Sequence, residues 1–143
     1  MKTNVKRVYE SPAPTDGTRI LVDRLWPRGL TKEAAAVDEW LKDLAPSDEL
    51  RKWFHTYPEQ WAVFRKRYLK ELGSVDANSS LEELYRLSQK RKTTLLFASK
   101  NEDRNNAVVL RDLLNGMRKP PTGTGPAAAR GVRMRQVKSM PRR

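Results

Sequence analysis

Residues 20–29, Ile-Leu-Val-Asp-Arg-Leu-Trp-Pro-Arg-Gly, contain the clearest indication of the fold. The first three are branched and apolar, which is typical of a strand buried inside a sheet. Charged, aromatic, proline and glycine residues follow at once, and Pro27 disfavours a helical conformation at Trp26. Loops that leave a scaffold strand often carry functional side chains. We therefore predict a strand over residues 19–23 and a candidate site directly after it.

A second buried strand is predicted at residues 94–98, Thr-Leu-Leu-Phe-Ala. This segment is continuously apolar between polar flanks, as expected of a strand covered on both faces, so we place it in the centre of the sheet. Residues 5–9 alternate apolar and charged positions, which predicts a first strand with one solvated face. Turn residues then predict a loop at residues 11–18.

Helices are predicted between and after the strands. Thr31 caps a short helix over residues 32–36, and Ser47 is the N-cap of a longer helix whose first turn is acidic. Pro58 suits the first position of the next helix, and a capping-box pattern at Ser80 and Glu83 predicts the start of another. Residues 37–44 fit an irregular strand or a helical turn. A last helix turns a row of apolar residues inward, namely Ala107, Leu110, Leu114 and Met117.

Aromatic residues cluster in the two helices that follow Ser47. Trp61, Phe64 and Tyr68 recur at spacings of three and four, the period of a buried helical stripe, and Trp53 and Phe54 precede them. The simplest interpretation is the core beneath two helices. A base-stacking platform is the alternative, and it requires these rings to be exposed together beside basic residues.

Strands that alternate with helices predict an α/β fold, a small layered domain with a short, largely parallel sheet flanked by helices. From Lys119 onward the chain has no aromatic and almost no large apolar residue, so burial cannot offset the entropy of ordering it. We predict that residues 1–117 form this α/β domain. The remaining residues, 118–143, are predicted to be a disordered basic tail.

The net charge of +12 is concentrated in that tail. Eight of the 29 basic residues and no acidic residue lie after Met117, which leaves 21 basic against 17 acidic residues in the body. Mobile positive charge suits weak, non-specific binding of nucleic acid or another polyanion. A solubilising extension without a dedicated partner explains the same composition.

Several classes of protein are excluded or disfavoured. The chain has no cysteine, which excludes disulfides and thiolate chemistry and is compatible with a cytoplasmic location, and its single histidine, His55, excludes a histidine metal cluster. No metal-ligand spacing stands out, so no metal is predicted, and no cofactor is indicated. No apolar run approaches 18 residues, so we predict no membrane partner and a cytoplasmic protein.

The candidate site lies where two predicted strands end. In an open α/β sheet, ligands bind outside the carboxyl ends of the strands. If the strands at residues 19–23 and 94–98 are parallel neighbours, Arg24, Arg28 and Lys100 converge with the start of the last helix, whose free amides favour an anion. A phosphate or carboxylate pocket is then expected. Asp23, Trp26 and Ser99 are the remaining candidates for this pocket. Asp23 is a candidate to orient an arginine or act as a base, and Trp26 to stack on a planar ligand. Ser99 is included because it lies beside Lys100.

Structural roles explain the same residues equally simply. Asp23 paired with an arginine would pin the loop, Trp26 would anchor the core, and residues 27–29 would form a tight turn. Ser99 lacks the glycine-flanked elbow of a nucleophilic serine. His55 is best placed at the end of a helix, where the helix dipole favours a cation. Catalytic residues are therefore not assigned.

Four segments together resemble a known family. They are Val-Asp-Arg-Leu-Trp-Pro-Arg-Gly at 22–29, Trp-Leu-Lys-Asp-Leu-Ala-Pro-Ser at 40–47, Leu-Arg-Lys-Trp-Phe at 50–54 and Phe-x-x-x-Tyr-x-x-Glu-Leu at 64–72. The chain is similar over residues 5–115 to the YeaO-like branch of the domain-of-unknown-function family 488 (DUF488). The resemblance implies a small α/β domain and no specific activity. Relatives often carry Asn-His-Ala where this chain has Asn105-Asn106-Ala107.

The sequence thus predicts a protein that binds a small anionic ligand at its strand ends, with an enzymatic role left open. Nucleic-acid association through the tail and a non-catalytic interaction module are the two alternatives.

Overall fold

A computed structural model of the protein describes residues 2–121. Its nine helices and strands in that range confirm the predicted α/β class. In chain order they are β1 (Thr3–Arg7), β2 (Thr18–Leu21), α1 (Lys32–Ala35), β3 (Glu39–Trp40), α2 (Asp48–Thr56), α3 (Trp61–Glu71), α4 (Val75–Lys90), β4 (Thr93–Phe97) and α5 (Asn106–Gly116).

The four strands form one parallel sheet in the order β1, β4, β2, β3. β4 is central, and all five of its residues are buried, as the unbroken apolar segment predicts. β2 pairs with β4 so that Ile20 lies beside Leu95 and Leu21 beside Leu96. The condition on which the candidate site depends is therefore met, because the two strands that precede it are parallel neighbours.

Alternate residues of β2 and β4 supply the two faces of the sheet. Ile20 and Leu95 contribute to the larger core, which also contains apolar residues of α2, α3, α4 and α5. Leu21 and Leu96 lie in a smaller core on the other face, covered by Ala35 of α1 and by the loops on either side of it. Helices α2 to α5 thus pack on one face of the sheet, and α1 packs on the other.

Two predicted helix starts are correct and two are wrong. The Thr31 and Ser47 hydroxyls cap α1 and α2, accepting hydrogen bonds from Ala34 N and Leu50 N at 3.1 Å each. Pro58 lies in the turn between α2 and α3, and α3 begins only at Trp61. The capping-box pattern at Ser80 and Glu83 is wrong as well, since both lie inside α4.

The N-cap of α4 is Ser74, whose Oγ accepts a hydrogen bond from Ala77 N at 3.3 Å. Both alternatives for residues 37–44 are found in succession, because the two-residue β3 precedes a 3₁₀ turn at Lys42–Leu44. The predicted tail lies outside the described residues apart from residues 118–121. Within residues 2–121, no helix is both long and apolar enough to cross a bilayer.

Candidate functional site

Asp23 joins the carboxyl ends of β2 and β4. It follows β2 by two residues, and its Oδ2 accepts a hydrogen bond from the backbone N–H of Ala98 at 2.8 Å. Its Oδ1 accepts a second one from Asn106 Nδ2 at 3.1 Å. Asp23 therefore binds a backbone amide and a side-chain amide rather than an arginine, and it holds together the two segments that leave the sheet.

Asn106 is the first residue of α5 and completes this connection. The same Nδ2 donates to the carbonyl of Val22 at 2.9 Å, while Asn105 caps the helix by accepting from Val108 N at 3.0 Å. The start of α5 is thereby fixed against the end of β2. Burial raises the pKa of Asp23, and the hydrogen bonds from Asn106 and Ala98 oppose that rise.

Trp26 packs within the loop that follows β2. Its ring meets Trp40 edge to face, with centroids 5.4 Å apart, and both rings adjoin the smaller core. Trp26 Nε1 donates to the carbonyl of Leu30 at 2.7 Å, and Trp40 Nε1 donates to the carbonyl of Asp23 at 2.7 Å. These contacts pack Trp26 against the smaller core and fix its loop, in agreement with the core-anchoring role given above as the structural alternative.

Arg28 and the segment at Ser99 are connected through residues at and just after the end of β1. Tyr9 donates its hydroxyl hydrogen to the carbonyl of Arg28 at 2.8 Å, and the guanidinium of Arg7 lies 4.9 Å from the centre of the Tyr9 ring. Arg7 in turn donates to the carbonyls of Ala98 and Ser99 at 3.2 and 3.0 Å. A third arginine, Arg7, therefore reaches the carboxyl edge of the sheet.

The sequence did not indicate Arg7 as a site residue because it lies within an alternating strand. The side chains of Arg28, Ser99 and Lys100 are exposed. Among residues 2–121, Arg24, Arg28 and Lys100 form no ion pair with a carboxylate. Ser99 Oγ accepts a hydrogen bond from Asn101 N at 3.1 Å, which orders the start of the loop before α5.

Arg24 has a different set of neighbours. It lines a groove of about 310 Å³ at the ends of the helices that cover the larger core. The groove is mixed in charge, since Asp43 and Glu71 line it as well. Both oxygens of Glu71 are already engaged, because they accept hydrogen bonds from Ser47 N at 2.8 Å and Ser47 Oγ at 2.7 Å. No pattern in the sequence predicted that pair.

Within the part of the chain that the structure describes, no three histidine or acidic side chains are arranged to hold a metal ion. His55 lies in the last turn of α2, as expected, and its side chain is exposed.

These features define a small α/β protein with a parallel sheet, in which Asp23 joins the loops that follow β2 and β4. The chain belongs to the family whose model is described as "Inactive DUF488-N3 subclade", which matches residues 2–127. The resemblance to the YeaO-like branch of DUF488 is confirmed.

Three relatives illustrate the match. Uncharacterized protein YeaO of Escherichia coli (strain K12) is 44% identical over 117 residues, which covers 82% of this chain and 100% of the relative. Uncharacterized proteins Mb3100c of Mycobacterium bovis and Rv3073c of Mycobacterium tuberculosis are each 44% identical over 115 residues, or 80% of this chain and 95% of theirs. No solved structure matches the chain.

Proposed function

We propose that this protein binds a small phosphate- or carboxylate-bearing ligand at the carboxyl edge of its sheet without transforming it. The observation that carries the proposal is the pairing of β2 with β4, because it makes the loops at residues 23–29 and 99–103 leave the same edge. The hydrogen bond from Ala98 to Asp23 then fastens one loop to the other. The ligand therefore meets a preformed edge.

Charge and its availability support an anion as the ligand. Arg28 and Lys100 are exposed, and neither forms an ion pair within residues 2–121. Arg7 adds a cation at the same edge, and Arg24 adds one in the adjoining groove. The planar fork of arginine suits bidentate binding of a phosphate or carboxylate.

Three observations favour binding over catalysis. The family is described as inactive. Both oxygens of Asp23 already accept hydrogen bonds, so this carboxylate is engaged in structure rather than poised as a base. Asn106, the residue that contacts Asp23 at the start of α5, offers only an amide, which cannot exchange protons near neutral pH as an imidazole does.

The test is a thermal-shift and calorimetric screen with inorganic phosphate, nucleotides, sugar phosphates and small carboxylic acids. A ligand present at 100 times its Kd stabilises the folded state by about 2.7 kcal/mol, enough for a clear rise in Tm. We expect Arg28→Ala and Lys100→Ala each to lower the affinity for a ligand found in this screen at least fivefold.

The matched controls lie at the other edge of the same sheet. Arg91 and Lys92 are exposed and precede β4, so Arg91→Ala and Lys92→Ala remove the same charges from the amino edge. They should leave the affinity within twofold. A ligand whose affinity drops equally in all four variants is responding to net charge only, and this result would reject the edge site.

Nucleic-acid association through the tail is the second candidate, and the observation in its favour is the eight basic residues without an acid after Met117. It requires no site on the folded body, since phosphate neutralisation needs only mobile positive charge.

A further inference from the structure

A second groove, of about 490 Å³, lies between α2 and α3, and we call it the Trp53 groove. Trp53 is half-buried in its wall, and Leu50 supplies further apolar surface. Tyr57 packs beside Trp53, with ring centroids 5.7 Å apart and planes tilted by 45°, and its side chain is 46% exposed. Two aromatic rings therefore remain accessible here, while Phe64 and Tyr68 of the same stripe are buried.

The base-stacking alternative required the rings of the whole aromatic stripe to be exposed together. Of that stripe, Trp53 lines this groove, with Tyr57 beside it. Phe64 and Tyr68 of α3 belong to the core, and the half-buried Phe54 and Trp61 pack against it, as the simpler interpretation predicted.

Basic side chains border the exposed rings. The guanidinium of Arg67 lies over the Trp53 ring, 4.6 Å from its centroid, and Lys70 lines the same groove one turn further along α3. Two carboxylates also line the groove, but Glu71 gives both oxygens to Ser47. In the described range, neither Arg67 nor Lys70 forms an ion pair. The groove thus combines a stacking surface with two cations that form no ion pair, while Glu49 and Glu71 balance their charge overall.

We infer that the Trp53 groove binds a planar aromatic ligand that carries an anionic group, the chemistry of a mononucleotide. The ring of the ligand stacks on the Arg67 guanidinium, which lies over the Trp53 ring, so that π stacking and cation–π attraction act together. Its anionic group is held by Lys70, with Arg67 as a second donor. Glu49, the remaining carboxylate of the lining, disfavours ligands with larger negative charge at its end of the groove.

The size of the groove favours a small molecule over a nucleic-acid strand. Small-molecule sites typically enclose about 300–1,000 Å³, and the Trp53 groove falls within that range. A strand would need a track of successive stacking platforms. Trp53 and Tyr57 form a single platform, because Phe64 and Tyr68 are buried in the core and Trp61 does not line the groove.

This inference does not depend on the anion site at the sheet edge. The two sites share no cation, since Arg67 and Lys70 belong to α3, whereas Arg28 and Lys100 belong to the strand-end loops. Glu71 lines both the Trp53 groove and the groove at Arg24, but its oxygens are bound to Ser47.

The test is an NMR titration of the full ¹⁵N-labelled chain with adenosine 5′-monophosphate (AMP), with adenosine and inorganic phosphate as partial ligands. The four tryptophan indole N–H signals are resolved probes, and Trp53→Phe identifies the signal of Trp53. We expect AMP to shift that signal saturably, adenosine to bind at least tenfold more weakly, and phosphate alone to leave it unmoved.

Two substitutions on α3 separate the groove from general charge. Lys70→Ala should weaken AMP binding at the Trp53 signal at least fivefold, because it removes the charge proposed to hold the anionic group. Lys66→Ala is the matched control, an exposed lysine of the same helix that does not line the groove, and it should change affinity less than twofold. Arg28→Ala, which disables the sheet-edge site, should have no effect on this signal.

Three results would overturn the inference. The first is an unmoved Trp53 signal at saturating AMP. The second is equal weakening by Lys70→Ala and Lys66→Ala. The third is a ten-nucleotide RNA that shifts the same signal with more than tenfold higher affinity than AMP at 0.15 M salt, since this would identify a strand rather than a small molecule as the ligand.

Discussion

Gly17 enters β2 under a tight steric constraint. Its φ is +67°, and a Cβ placed on it would lie 2.2 Å from the carbonyl oxygen of Lys92, the residue just before β4. Because that contact is with backbone, the sheet itself would have to move to accept a side chain. The amide of Thr18 donates to the same carbonyl at 2.9 Å, so the contact belongs to the pairing of β2 with β4.

Gly17→Ala is therefore expected to destabilise the fold by more than about 3 kcal/mol, the sum of the strain of a positive φ and a backbone clash. Gly29→Ala is the matched control, since Gly29 also has a positive φ, +85°, but has open space around its Cβ position. It should cost only about 1–2 kcal/mol. Urea unfolding of both variants measures the difference, and equal losses would contradict the clash.

Asp16 and Asp23 have pKa values shifted in opposite directions. Burial tends to raise the pKa of Asp16, but hydrogen bonds from Ala13 N, Lys6 and Arg19, together with the charge of Lys6, hold it below its ordinary value of 3.8. For Asp23, burial prevails over its hydrogen bonds and the pKa is raised. Charged Asp16 thus stabilises the fold, whereas Asp23 destabilises the fold less when it is protonated than when it is charged.

These shifts determine how stability depends on pH. The contribution of Asp16 is fully present above about pH 4 and is lost as the pH falls through its lowered folded pKa. The contribution of Asp23 has the other sign, because stability declines as the pH rises from 3.8 to its raised folded pKa. We expect Asp16→Asn to destabilise the protein by on the order of 3 kcal/mol at pH 7, since it leaves the buried Arg19 without its carboxylate.

That difference from the wild-type chain should narrow as the pH falls through the lowered pKa of Asp16, because protonation then removes the charge at position 16 from the wild-type chain as well. Asp103→Asn, at an exposed aspartate, controls for loss of charge. Carboxyl ¹³C titration measures the two pKa values directly. A pKa for Asp16 above that for Asp23 would contradict the opposite shifts assigned to the two carboxyl groups.

At the scale of elements, helix starts depend on which capping residue the chain can use. α4 begins at Val75 because Ser74 offers its hydroxyl to Ala77 N, whereas the capping box at Ser80 and Glu83 matches a motif inside an already formed helix. The sequence does not distinguish these two serines, since each precedes a run of helix-forming residues. Packing of Ala77 against the core favours the earlier start.

Ser74→Ala should therefore lower the free energy of unfolding by about 1 kcal/mol, the usual value of an N-cap. Ser80→Ala should lie within about 0.5 kcal/mol of wild type or be slightly stabilising, because alanine has the higher helix propensity. Chemical denaturation of the two single variants decides between the starts, and the reverse order would restore the capping box as the true helix start.

At the scale of the whole molecule, charge is divided unevenly along the chain. The charge of residues 1–117 is close to balanced, with 21 basic and 17 acidic residues. The segment after Met117 has eight basic residues and no acidic one. Binding of any polyanion through that segment should consequently be electrostatic and strongly dependent on salt.

We expect the full chain to bind single-stranded DNA with an affinity that falls steeply between 50 and 200 mM salt, with a log–log slope of about −0.7 for each phosphate neutralised. A full-length variant with six tail residues changed to glutamine should lose most of that affinity and show a shallower slope. The six are Arg130, Arg133, Arg135, Lys138, Arg142 and Arg143. Fluorescence anisotropy measures both quantities, and unchanged binding by the variant would assign the affinity to the body.

The α/β class, the buried strands β2 and β4, and the caps at Thr31 and Ser47 could all be predicted from the amino-acid sequence. These features depend on local signals, namely apolar runs and short-range hydrogen bonds, that can be identified without knowing the fold. The same signals were wrong at Pro58 and Ser80, where several residues suit a helix start and tertiary packing selects one of them.

The contacts of the residues after β2 could not be predicted from the sequence and became known from the folded chain. Asp23 meets Ala98 and Asn106, which are 75 and 83 residues away in the chain, and Arg7 reaches the same edge from β1. The two grooves likewise combine side chains from separate elements. Such contacts depend on strand order and helix packing, which sum many weak long-range interactions, so no local pattern in residues 20–29 could specify them.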